Sequence, residues 1–173
     1  FTVVDAGTTN ENTFTYVAWN WKAGGSGSAN TDGTISSTVS VQADAGFSIG
    51  TFSGTGSAGS IGHGLGISPK WILIKNRDSA NSWAVYHDAV GANKQLLLNN
   101  SNAAANDTNG FPSAPTSTVI NVGTGSAMDT NQSGSHVFLA FAEVEGYSKF
   151  GSYTGNGSAD GPFVFCGFSV QFV

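Results

Sequence analysis

Gly50-Thr51-Phe52-Ser53-Gly54-Thr55-Gly56-Ser57-Ala58 returns later in the chain as Gly151-Ser152-Tyr153-Thr154-Gly155-Asn156-Gly157-Ser158-Ala159. The offset is 101 positions, from Gly50 to Gly151, and Gly66 with Gly167 and Ser68 with Ser169 stay in step. A second echo sets Thr2–Thr8 against Thr118–Thr124, 116 positions on. A softer one sets Tyr16-Val17-Ala18-Trp19 against Phe138-Leu139-Ala140-Phe141, 122 positions on. The offsets 101 and 122 differ by 21 residues, and an insertion within Lys22–Ala45 accounts for that. A recurring spacing of this size marks a structural unit repeated along the chain. The expected layout is the tail of one repeat over 1–21 and a Gly/Ser-rich connector with a strand over 22–46. A complete repeat follows over 47–146, then the head of another over 147–173.

On either side of these echoes the apolar runs are short and alternate. In Thr34–Val41, Ile35, Val39 and Val41 fall on one side and Thr34, Ser36, Thr38 and Ser40 on the other. That period of two predicts a half-buried strand. Thr13–Trp21, Gly46–Ser53, Lys70–Asn76, Ser82–His87, Lys94–Asn99, Thr116–Val122, Ser135–Val144, Lys149–Thr154 and Pro162–Phe168 read the same way. Gly, Asn, Asp and Ser clusters separate them. A single helical turn is expected at Ser101–Asn106. Many short strands with turn signals between them predict an all-β, antiparallel β-sandwich of jelly-roll-like, lectin-like form.

Composition narrows the function. Of 173 residues, 39% are hydrophobic and 12% aromatic, but only 10% are charged, against about 25% in ordinary soluble domains. The surface is therefore carried by Ser, Thr, Asn and Gly, in the manner of extracellular β proteins. A net charge of −5 with six scattered basic residues excludes a nucleic-acid partner. No run is long enough to span a membrane. One cysteine, Cys166, rules out an intrachain disulfide and reads as a small buried hydrophobe. The chain opens at Phe1 and ends at Val173 inside an apolar run, so a segment of a longer polypeptide is expected. An unpaired strand edge near Val173 predicts self-association.

Three strings are distinctive: Tyr16-Val17-Ala18-Trp19-Asn20-Trp21-Lys22-Ala23-Gly24-Gly25, Gly62-His63-Gly64-Leu65-Gly66-Ile67-Ser68-Pro69-Lys70, and the run from Phe141 to Gly157. They resemble repeat domains of marine bacteriophage (cyanophage-like) tail-fibre and virion structural proteins. The resemblance implies an extracellular, virion-associated β-sandwich repeat in a long polypeptide, with other virion proteins as partners and no transferable catalytic residues.

Candidate chemistry is sparse. Glu143 and Glu145, two apart on a strand, would present paired carboxylates about 7 Å apart. Such a pair can support glycoside hydrolysis. The softer echo puts Trp21 and Ala23 at these positions, and the reading adopted is a solvated strand end. A glycan depolymerase is the alternative function, with a bacterial adhesin or carbohydrate-binding module beside it. His63, His87 and His136 lack metal-ligand spacing and read as structural, while Asp32 and Asp160 are lone turn acids. No cofactor or metal is expected. The best ligand-binding candidates are Asp78, Trp83, Tyr86 and His87, where polar residues lead into aromatic ones suited to a host-surface glycan. With Trp83 and Val85 packed inward, Tyr86 would face outward. Trp71, alternating with Leu73, is expected in the core.

Overall fold

The computed structural model describes residues 10–125 and 128–170. The echo at Thr2–Thr8 and the expected edge near Val173 lie outside the described residues. The chain is all-β. In order the strands are β1 (Ser28–Asn30), β2 (Ser37–Gln42), β3 (Phe47–Gly54), β4 (Gly59–Gly62), β5 (Trp71–Asn76), β6 (Ala84–His87), β7 (Lys94–Leu97), β8 (Ala105–Asn106), β9 (Val119–Val122) and β10 (Gly134–Phe141). Among the described residues the one helical element is a 3₁₀ turn at Ala43–Ala45. The turn expected at Ser101–Asn106 is absent: Ala105 and Asn106 instead pair as a strand with Gln95 and Lys94.

Eight strands form one sheet in the order β1-β2-β3-β10-β5-β6-β7-β8, and β4 pairs with β9 in a second, small sheet. Neighbouring strands are antiparallel throughout. The long central strand β10 bonds to β3 on one side and β5 on the other, so strands distant in sequence close the sheet's middle.

The core lies on one face of the large sheet. His136, Phe138 and Ala140 of β10 alternate toward it, beside Phe52 of β3, Ile72 and Ile74 of β5, and Ala84 and Tyr86 of β6. Ile61 of β4, Ile120 and Val122 of β9, and the loop residues Phe111 and Met128 complete the cluster. Fully burying each large side chain contributes about 1.5–3 kcal/mol. Gly50 is required here: a Cβ on it would lie 2.5 Å from the Phe138 ring, which occupies the space above it.

His63, between two glycines after β4, is fully buried. Its Nδ1 accepts from Leu65 N–H at 3.2 Å and its Nε2 faces the Thr116 carbonyl at 3.2 Å. Only the neutral Nε2–H ring satisfies both. Burial is the main cause that pushes its pKa below the ordinary 6.5. The unfolded chain then takes up the proton first, so this contribution is complete above pH 6.5 and declines as pH falls below it. Urea midpoints measured across pH are expected to fall below that point in the wild type, and a His63→Gln protein loses that step.

Candidate functional site

The opposite face of the large sheet is also apolar. Ile49, Leu139, Leu73 and Val85 stand in register across four strands, continued by Leu96 of β7. Beside that row, Phe47, Phe141, Trp71 and His87 are cross-strand neighbours. Trp71 stacks on Phe141 at 4.8 Å between centroids, and Phe47 lies 5.0 Å from the same ring. Two flanking arms reach this row. Trp21 places its edge on Phe141 at 5.4 Å, and Phe150 sits 6.3 Å from Trp71. Toward β1 the face turns polar, where Ser36, Thr38, Thr51, Ser53 and Ser135 line a shallow groove of about 280 Å³.

The candidate ligand residues divide between the two faces. Tyr86 does not face outward; it is 2% exposed, packs edge-on against Phe111 at 5.8 Å, and donates to Asp88 Oδ1 at 3.3 Å. Burial is the main cause that pushes its hydroxyl pKa up to about 12. The alternation of β6 is as the sequence predicts, but the sides are exchanged: Ala84 and Tyr86 join the main core cluster, and Val85 lies on the other face. Trp71 likewise belongs to the outer face. His87 lies there too, and Trp83, one residue before β6, follows the same alternation. Asp78 is apart in the β5–β6 loop, where its Oδ2 accepts from Ser135 N–H at 2.7 Å and ties that loop to β10.

Glu143 and Glu145 are exposed beyond the end of β10. Glu143 Oε1 accepts from Phe150 N–H at 3.0 Å, and the chain reverses between Val144 and Ser148. Glu143 thus supports a turn. Asp32 takes part in a local turn with Asn30. Among the described residues no group of three or more His, Cys, Asp or Glu gathers as a metal site, and no helix is long and apolar enough to cross a membrane.

The tightest polar cluster escaped the sequence reading. Asp129 and His136 are buried to within 1% exposure, with Asp129 Oδ1 3.0 Å from His136 Nε2. The same carboxylate accepts from Gln132 N–H at 3.0 Å and from the side-chain amides of Asn76 and Asn81 at 2.8 Å each. His136 Nδ1 faces the Gly134 carbonyl at 3.2 Å, and its ring stacks on Phe52 at 4.9 Å. Burial pushes the Asp129 pKa up, but the hydrogen bonds from His136, Asn81, Asn76 and Gln132 outweigh it, and the net direction is down. An Asp–His pair suggests acid–base chemistry, yet Asp129 and His136 are buried with their polar atoms matched internally, and only the flanking Asn81 is exposed. The cluster clamps the loop before β10 to the sheet.

A family model described as a domain of unknown function, DUF7483, matches residues 1–173. The chain belongs to that family. No curated protein and no solved structure matches it. Within this DUF7483 chain, the outer sheet face brings aromatic, aliphatic and hydroxyl groups together on one surface.

Proposed function

We propose that the chain is a non-catalytic structural and adhesive repeat module, jelly-roll-like and lectin-like, of a phage tail fibre or comparable virion appendage. One observation carries this: the large sheet has an apolar row on each face, and on the outer one Ile49, Trp71, Leu96 and Leu139 are only half-buried around the buried Phe47, Leu73, Val85 and Phe141. An antiparallel sheet with a single core needs one apolar face and can leave the other polar. The second apolar face therefore serves contact, with neighbouring modules or virion proteins and, through Trp71 and Trp83, with host-surface glycan. Indole faces suit stacking on sugar rings, and repetition multiplies weak single sites. The internally matched Asp129–His136 and His63 groups fit a structural duty, and so does Glu143 within its turn.

The chain is expected to be retained on immobilised bacterial surface polysaccharide, and Trp71→Ala with Trp83→Ala to reduce retention about tenfold or more, the loss of roughly 1–3 kcal/mol of stacking. Release of oligosaccharide that Glu143→Gln abolishes would instead establish the depolymerase.

A further inference from the structure

The two arms flanking the sheet, 13–21 and 148–159, carry copies of two of its neighbouring inner strands, β10 and β3. With the offset of 122, Phe14, Tyr16 and Ala18 take the places of His136, Phe138 and Ala140 of β10; with that of 101, Gly151 and Tyr153 take those of Gly50 and Phe52 of β3. Phe138 and His136 are fully buried and Phe52 is 5% exposed, whereas Tyr16, Phe14 and Tyr153 are 48%, 63% and 69% exposed. The backbone punctuation also recurs. Gly56 and Gly157 both have φ of 69°, and Gly66 and Gly167 have 75° and 84°. Most telling is the aromatic-over-glycine pair. Gly50 exists to admit the Phe138 ring, and its counterpart Gly151 has nothing within 4 Å of the side-chain position. That is a seat with the matching ring, Tyr16, displayed elsewhere on the chain. Among the described residues neither arm belongs to a strand.

We propose that the arm 148–155 of one molecule pairs with the arm 13–18 of a second copy, antiparallel and in the β3–β10 register. In β3–β10, His136 faces Phe52, Phe138 faces Gly50 and Ala140 faces Ser48. The transferred register sets Phe14 opposite Tyr153, Tyr16 opposite Gly151 and Ala18 opposite Lys149. Lys149 replaces the buried Ser48, so the ladder is strongest from Tyr16–Gly151 toward Phe14–Tyr153 and frays at Lys149. Strand addition of this kind takes affinity from main-chain bonds and register from alternate side chains. The two arms are different surfaces of this chain, so the contact is heterologous and joins copies head to tail. This rests on the repeat reading above and adds its partner and register.

The test uses the full chain carrying Cys166→Ser. One preparation bears Phe14→Cys and a second bears Tyr153→Cys; on mixing and oxidation they are expected to give a cross-linked heterodimer. Thr15→Cys in place of Phe14→Cys moves the thiol to the other face and is expected to lose that product. Light scattering should show mass rising in multiples with concentration, and Tyr16→Asp with Tyr153→Asp should return it to one chain with the thermal transition kept. A single-chain mass at every concentration, or equal cross-linking from Thr15→Cys, overturns the proposal. A monomer still retained on polysaccharide overturns strand exchange alone and leaves the adhesive role standing.

Discussion

Asp129→Ala is expected to lower stability by about 3–5 kcal/mol, the cost of removing one partner from a buried pair. The loss exceeds that of an ordinary hydrogen bond because five donors meet one carboxylate: the His136 ring, the amides of Asn76 and Asn81, Gln132 N–H and, at 3.5 Å, the Ser79 hydroxyl. Asn76 and His136 are buried and cannot turn to water, so each is left with part of its desolvation cost, whereas the exposed Asn81 can rehydrate. The thermal midpoint should fall by on the order of 10 °C, read by circular dichroism. Asp129→Asn keeps the shape but turns amide hydrogens toward Asn76 and Asn81, so it should lie between wild type and Ala. The wild-type pH response follows from the lowered Asp129 pKa. Its contribution is present above the ordinary carboxylate value of 3.8 and is lost as pH falls below it toward the folded value. That acid step lies below the His63 step and should vanish in Asp129→Ala.

Phe138→Ala is expected to cost about 3–5 kcal/mol, as for a large aromatic removed from a rigid core. The ring is fully buried in the strand that joins the two halves of the sheet. Gly50→Ala alone should also destabilise, since the new Cβ meets ring carbons at 2.5 and 2.6 Å and the Thr38 carbonyl at 2.9 Å. Combined, the two changes should cost less than their sum, because the smaller side chain at 138 gives the new methyl room. Denaturant melts of the two single variants and the double variant measure that coupling directly; simple additivity would place the ring elsewhere.

Both results concern parts of the molecule that differ in how far the sequence reveals them. Alternation locates β2, β3, β5, β6, β9 and β10, where apolar residues recur at every second position, and the apolar run Leu96–Leu98 between polar flanks locates β7. β1 and β4 were hidden: Ser28–Asn30 and Gly59–Gly62 have little intrinsic strand preference and are held by β2 and β9. Thr13–Trp21 and Lys149–Thr154 show the reverse, strand-like alternation without a ladder, since pairing needs a partner that periodicity does not supply. In β5 both alternate sets are apolar, Ile72 with Ile74 and Trp71 with Leu73, so the pattern finds the strand without choosing its inner face. That ambiguity misplaced Trp71 and Tyr86. The Asp129 clamp was out of reach for another reason: Asn76 and Asn81 lie about fifty positions before the carboxylate they hold.

The large sheet ends in rims of three residues at β1 and two at β8. Long unpaired rims are templates for sideways stacking, and short ones withhold that template. Concentrated solutions should therefore thicken by lengthening threads and stay clear of amyloid-type bundles.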